Sequence, residues 1–108
     1  MDRDAITDLI ATVQREVEDY ARGGGWEHIA YPISDTARQY YTVLIIPDYP
    51  RKYRAGIVVA ARVIDDYVVI DEDATDRPLW KELMRAGIPR EKIILTYAGE
   101  KIPETSSE

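Results

Sequence analysis

The sequence predicts an α+β fold, with an N-terminal helix followed by a four-stranded antiparallel meander, a second helix and a final strand. Three observations support it. Residues 4–22 carry apolar side chains at helical spacing. Two apolar runs, Gly56–Ile64 and Tyr67–Ile70, are joined by only two residues. A second helical pattern then ends in Gly-Ile-Pro. We expect the helices to cover one face of the sheet.

The first helix is predicted over residues 4–22. Its apolar stripe consists of Ile6, Leu9, Ile10, Val13, Val17 and Tyr20. Three adjacent glycines at 23–25 end the helix as a flexible joint. Such a stripe is typical of packing against a core, although a helix that binds a partner protein would look similar.

Two strands are predicted before the central hairpin. The first covers Trp26–Ile33, where Pro32 indicates an edge strand or a strand end. Residues Ser34–Ala37 have the composition of a turn. The second strand covers Tyr40–Ile46 and is apolar on both faces. A proline-containing loop, residues 47–54, leads into the hairpin.

The hairpin has the strongest local signal. Gly56–Ile64 is apolar on both faces apart from Arg62, which predicts a central strand covered on each side. Asp65 and Asp66 separate it from Tyr67–Ile70. Because aspartate tolerates the positive φ of tight turns, the pair predicts a hairpin connection.

The second helix has signals at both ends. Thr75 or Asp76 is predicted to cap its N-terminus, with Pro78 in the first turn. Gly87 is placed for the left-handed position that ends a helix. The final strand is predicted at Ile93–Tyr97. A strand, helix and strand joined by short connections suggest a crossover if the two strands are parallel neighbours.

Length and composition set further bounds. The 108 residues predict one domain, residues 1–98, followed by a disordered polar tail at 99–108. The chain has no cysteine, no signal peptide and no apolar run long enough for a membrane span, so we expect a cytoplasmic protein. Its net charge of −6 disfavours direct DNA binding, whose affinity comes largely from Lys and Arg.

A series of short motifs supports a family resemblance. They follow one another without insertion, in the order Gly56, Asp65-Asp66, Asp73-Ala74-Thr75-Asp76, Glu82-Leu83, Gly87-Ile88-Pro89, Ile93 and Tyr97. Upstream, Asp-Thr-Ala-Arg-Gln-Tyr-Tyr at 35–41 enters the second strand. In this order and spacing the chain from Trp26 to Tyr97 resembles the XisI-like family, described as controlling factors for excision of the fdxN DNA element.

The resemblance implies a non-catalytic accessory protein that supports DNA-element excision through a protein partner. The implied partner is the companion protein XisH, which itself looks like a nuclease. Three positions depart from the family: Ala60 stands where a strand histidine is expected, Ala74 replaces a glycine, and residues 98–108 replace a longer tail.

An enzymatic alternative rests on the acidic cluster Asp71, Glu72, Asp73 and Asp76, with Asp65 and Asp66 nearby. Strand alternation predicts that Asp71 and Asp73 point to the same side, where both could hold a divalent metal. No lysine follows at the spacing of a nuclease core, and acids before a helix also serve as caps. His28, the one histidine, has no identifiable partners. We therefore expect no metal, no cofactor and no catalytic residue.

The predicted partner-binding residues are Tyr49, Arg51, Tyr53 and Arg54. They combine planar aromatic area with forked guanidinium donors, the composition of protein interaction hot spots. The same composition also suits single-stranded nucleic acids, which is the third functional hypothesis. We further predict a possible homodimer through an exposed edge strand, Trp26–Ile33 or Ile93–Tyr97.

Overall fold

The computed structural model describes residues 3–22, 28–47 and 55–103. Its helices and strands, in chain order, are α1 (Arg3–Asp19), β1 (His28–Asp35), β2 (Tyr40–Pro47), β3 (Gly56–Ile64), β4 (Tyr67–Asp73), α2 (Leu79–Arg85) and β5 (Ile93–Leu95). Short 3-10 turns precede and follow β5. The predicted α+β class is confirmed. Within these ranges no helix has the length and apolar character needed to cross a membrane.

The five strands form one sheet in the order β1-β2-β3-β4-β5. Strands β1 to β4 are antiparallel neighbours, and β5 runs parallel to β4 after the crossover through α2. Ile64 pairs with Tyr67 across the predicted hairpin turn, where Asp65 has a φ of +54°. Both strands predicted to lie at an edge, β1 and β5, do so. Whether either edge pairs with another chain stays a prediction.

The main core lies between the two helices and one face of the sheet. Val13 and Val17 of α1 and Leu79 and Leu83 of α2 are fully buried against the sheet. The sheet side of this core is formed by Tyr41, Val43, Val59, Ala61, Val63, Val68, Ile70, Ile93 and Leu95. This confirms the predicted stripe of α1. The expectation that β3 is covered on both faces was wrong for its first residues: Ile57 is 48% exposed, because both described helices pack on the other face.

Strand β3 is bulged against both of its neighbours. Val43 pairs with Val59 but Leu44 pairs with Ile57, which leaves Val58 as an extra residue. On the other side Ala61 pairs with Ile70 but Ala60 pairs with Glu72, which leaves Asp71 extra. Each bulge interrupts the two-residue alternation of side chains and redirects those that follow it.

The predicted signals at the two ends of α2 had different outcomes. Its C-terminus is as predicted: Gly87 has a φ of +107°, and the amides of Gly87 and Ile88 donate to the carbonyls of Met84 and Leu83. The predicted N-terminal caps were wrong. Pro78 precedes the helix, and the Asp73 carboxylate, brought there by β4, accepts the Leu79 amide at 2.7 Å.

Three strand bounds also differ from the prediction. Strand β1 continues past Pro32 to Asp35, whose carboxylate accepts both the amide (3.2 Å) and the guanidinium (2.6 Å) of Arg38 in the following turn. Strand β4 continues through its acids to Asp73. Strand β5 stops at Leu95, because Thr96 begins a 3-10 turn.

Contacts with the domain continue past the predicted boundary at residue 98. The Glu100 carboxylate accepts the Leu95 amide at 2.9 Å and pairs with Arg90 at 2.8 Å. The boundary itself stays a prediction, and residues 104–108 lie outside the described ranges.

Candidate functional site

The sheet has an outer face, opposite the helices, that is only partly covered. Side chains on this face are buried at one end of the sheet, where Val69 is 0% and Ile94 is 8% exposed. At the other end five large apolar side chains are 40–50% exposed. We call them the open patch: Ile29, Tyr31, Ile33, Ile46 and Ile57.

Strand register brings the open patch together. Ile29 pairs directly with Ile46. Tyr31 pairs with Leu44, which in turn pairs with Ile57, so these three side chains cross the face in one row. The bulge at Val58 keeps Ile57 on the outer face while Val59 enters the core. The result is a contiguous apolar surface on β1, β2 and the start of β3.

A polar network borders the open patch on the outer face. The Tyr40 hydroxyl donates to Oδ2 of Asp71 at 2.6 Å, and the Thr96 hydroxyl donates to Oδ1 at 2.5 Å. A guanidinium nitrogen of Arg62 donates to Oδ1 at 3.3 Å, and Arg62 lies over the Tyr40 ring, 5.9 Å from its centre. Three side chains, from β2, β3 and the turn after β5, therefore meet at one carboxylate of β4.

The contact between Arg62 and Asp71 is mainly electrostatic. Nε of Arg62 lies 2.9 Å from Oδ2 of Asp71, yet its N–H is not aligned for a hydrogen bond and has no acceptor among the described residues. The two side chains are 33% and 24% exposed. The pair is therefore partly shielded from water and stronger than a fully exposed ion pair.

The network shifts the pKa values of its two acidic groups, Tyr40 and Asp71, further from neutral pH. Burial and the hydrogen bond to Asp71 raise the pKa of Tyr40 to about 12. Burial opposes ionisation of Asp71, but hydrogen bonds from Thr96, Tyr40 and Arg62 outweigh it and lower the pKa of that carboxyl. At neutral pH the phenol is protonated and the carboxylate is charged and fully engaged.

The bulge at Asp71 also separates the two acids that alternation placed together. Asp71 faces Tyr40 and Arg62 on the outer face, whereas Asp73 lies on the helix side. One Asp73 oxygen accepts the Leu79 amide, and the other accepts the Thr75 amide and hydroxyl at 3.0 and 2.6 Å. The predicted convergence of Asp71 and Asp73 was therefore wrong. Over the described ranges no three acidic or histidine side chains are grouped to hold a metal ion.

A separate groove of about 340 Å³ lies between α1 and the segment that follows α2. It is lined by small and apolar residues together with Asp8, Asp66 and Lys92. The Lys92 ammonium is bound to the Asp66 carboxylate at 2.7 Å. Because the Lys92 ammonium is neutralised in this way, the described lining of the groove offers weaker recognition chemistry than the outer face.

The predicted partner-binding residues Tyr49, Arg51, Tyr53 and Arg54 lie outside the described residues. Their segment joins the end of β2 to the start of β3, the strands that carry Ile46 and Ile57 of the open patch. Sequence reasoning missed the open patch and the network. The sequence did contain a signal for the open patch. Strand β1 alternates large apolar residues at 29, 31 and 33, which places them on one face of the sheet. The two predicted helices were expected to cover one face, which leaves the other face of the sheet without a helix.

Comparison with known proteins gives two kinds of similarity. The model of the XisI protein family matches residues 2–107. The fold is similar to the crystal structure of a XisI-like protein from Anabaena variabilis, with a TM-score of 0.69 and 22% identity, covering 82% of this chain and 84% of the other. It is also similar to the fdxN element excision controlling factor XisI from the same organism, with a TM-score of 0.68 and 23% identity, covering 86% and 92%.

No curated protein matches the chain. At these identities the two crystal structures show the fold alone, whereas the family model spans almost the whole sequence, including every described strand and α2. The predicted resemblance is thus confirmed, and the chain belongs to the XisI family.

Proposed function

We propose that this protein is a non-catalytic controlling factor that supports the excision of a DNA element by binding a protein partner in the cytoplasm. The observation that carries the proposal is the family match over residues 2–107. A structural neighbour is named as the fdxN element excision controlling factor, and the proposed process, excision of a DNA element, is taken from that name. The companion that resembles XisH is the proposed partner.

The state of the polar network supports a non-catalytic role. A general acid or base works best with a pKa near the operating pH. Tyr40 has its pKa raised to about 12, and the pKa of Asp71 is lowered. The Asp71 carboxylate is also surrounded by three donors, so it offers little to a substrate. This geometry is suited to stabilising the sheet.

The charge distribution supports a protein partner over DNA. Among the basic residues described within 5–22, 29–46 and 55–103, all but Lys81 and Lys101 lie within ion-pair distance of a carboxylate. Lys81 lies over the Trp80 ring, 5.5 Å from its centre. Neutralised cations release few counterions on a phosphate backbone, and the net charge of −6 adds repulsion.

The proposed contact residues are Tyr49, Arg51, Tyr53 and Arg54. Tyrosine supplies rigid contact area, and each arginine can meet a carboxylate of the partner through two parallel hydrogen bonds. Their segment is the part of the chain where basic residues are least interleaved with acids.

The test is binding to the purified companion protein by calorimetry. The double substitution Tyr53→Ala and Arg54→Ala should weaken binding by about tenfold or more, because residues of these two types dominate hot spots. The melting temperature should stay unchanged. A matched control, Tyr97→Ala with Lys101→Ala, removes an exposed aromatic and a cation elsewhere and should bind normally.

Three results would contradict the proposal. The wild-type protein could fail to bind the companion, or the double variant could bind it as tightly as wild type. The double variant could instead bind the companion normally but lose a salt-sensitive affinity for DNA, which would identify a nucleic-acid binder. Excision frequency, measured in cells that carry the element with and without this protein, tests the process independently of the contact residues.

A further inference from the structure

The open patch is large enough to form the centre of a protein interface. Its five side chains are each 40–50% exposed, which amounts to roughly 400 Å² of apolar surface, at the level of the largest patch on a typical monomer. A standard interface buries roughly 800 Å² per partner, of which the central part is apolar and the rim polar. The open patch fits the central part, and Tyr40, Thr42 and Arg62 fit the rim.

The charged members of the polar network are paired within the chain. These two members, Arg62 and Asp71, are paired with each other. The Asp71 carboxylate has its hydrogen bonds within the chain, so covering it breaks none of them. A surface that is apolar at its centre, with the charges of Arg62 and Asp71 paired at its border, complements a copy of itself, even though each chain carries a net charge of −6.

The sheet edges are poorer places for self-association. Edge strand β1 contains Pro32, which has no amide to donate to a neighbouring strand. The opposite edge, β5, is only three residues long, and all three are buried. Short strands and prolines are devices that protect an edge from pairing. The face, by contrast, is wide and regular over β1 and β2.

We propose that the open patch binds a second copy of this chain, face to face about a two-fold axis. The two sheets would stack about 10 Å apart, as in a β-sandwich, and the isoleucines of one patch would pack between those of the other. Tyr31, in the middle row, lies at the centre of the contact. The inference does not depend on the companion protein or on residues 49–54.

Sedimentation velocity across a concentration series tests the proposal. The wild-type protein should sediment at twice the monomer mass at high micromolar concentration. Rising salt should strengthen the dimer, because salt screens the repulsion between two chains of the same charge and does not weaken apolar contacts. Electrostatic binding to a basic or acidic partner would show the opposite salt dependence.

Two substitutions place a charge in the patch. Tyr31→Arg and, on a different strand, Ile57→Arg should each raise the dimer dissociation constant by roughly thirtyfold or more. Each makes the chain less acidic, so a net-charge effect alone would favour association. The matched control is Met84→Arg on α2, since Met84 is 42% exposed but lies outside the sheet. It should leave the dimer intact.

A cross-linking experiment provides a readout that does not rely on disruptive variants. The natural chain has no cysteine, so Tyr31→Cys introduces a single thiol. Mild oxidation should link two copies covalently through Cys at position 31, whereas the Met84→Cys protein should form no covalent link between copies. A wild-type monomer at every concentration and salt would overturn the proposal. So would equal dissociation by Met84→Arg, or cross-linking only at position 84. Patch variants that lose companion binding while wild type stays monomeric would assign the face to the companion.

Discussion

Arg62 and Asp71 form an ion pair on the outer face of the sheet, with Nε 2.9 Å from Oδ2, although the two residues lie on neighbouring strands out of simple register. The bulge at Asp71 makes the contact, because the unpaired residue can turn its carboxylate toward β3. Tyr40 and Thr96 then attach β2 and the turn after β5 to the same carboxylate. One side chain thus connects four separate segments of the sheet.

Removing the charge of Asp71 should destabilise the fold. Asp71→Asn leaves Arg62 partly buried without a counter-charge, and we expect a loss of about 1–2 kcal/mol, less than for a fully buried pair because water screens the site. Urea denaturation measures the free energy of unfolding. The control is Asp35→Asn, which weakens the exposed Asp35–Arg38 pair and should change stability much less than Asp71→Asn does. Equal losses in the two variants would contradict a special role for the network.

The same carboxylate predicts part of the acid sensitivity. The pKa of Asp71 is lowered in the folded protein from its ordinary value of 3.8. Its ionised form therefore stabilises the fold at any pH above that value, and the contribution is lost as pH falls through the lower folded pKa. The free energy of unfolding should thus fall below about pH 4, and less steeply in Asp71→Asn than in wild type. If the free energy of unfolding fell equally steeply with pH in the two proteins, other carboxylates would account for the loss.

Local sequence signals predicted most of the fold. The stripe of α1, the Asp65-Asp66 turn and the Gly87 helix end depend on neighbours within a few residues, and each has the predicted structure. For the same reason the order of strands followed from short connections. The prediction succeeded where the physical cause is local.

The outer face could not be predicted in the same way. A bulge is set by the pairing of two strands, so strict alternation misplaced Asp73 relative to Asp71. The exposure of Ile29 or Ile57 depends on how many layers cover the sheet, which no single strand encodes. Residues predicted from composition alone, Tyr49 to Arg54, remain a prediction because they lie outside the described ranges.

The helix cap offers a direct comparison between the predicted and observed residues. Asp73→Ala removes the acceptor of the Leu79 amide and of the Thr75 amide and hydroxyl, and should destabilise the protein by about 1–2 kcal/mol. Asp76→Ala removes the predicted cap, an exposed side chain, and should have an effect below about 0.5 kcal/mol. Thermal melting of both variants decides between them. A larger loss of stability for Asp76→Ala than for Asp73→Ala would support the cap predicted from sequence.

Two glycines test whether backbone conformation or space limits a substitution. A Cβ added at Gly87 or at Gly56 would meet no atom within 4 Å, so neither change to alanine creates a clash. Gly87, however, has a φ of +107°, in which an L-residue is strained, whereas Gly56 lies in β3 without a positive φ. Gly87→Ala should therefore lose about 1–2 kcal/mol of stability.

Gly56→Ala should instead be neutral or gain about 0.4–1 kcal/mol, because alanine reduces the conformational entropy of the unfolded chain. Urea denaturation of the two variants measures both effects on one scale. The positive φ that Gly87 adopts without strain forms the turn from which Ile88 donates its amide to Leu83 and enters the core. Equal stability of the two variants would mean that the end of α2 adapts to alanine without a loss of stability. The turn between α2 and β5 would then not need a fixed conformation to place Ile88.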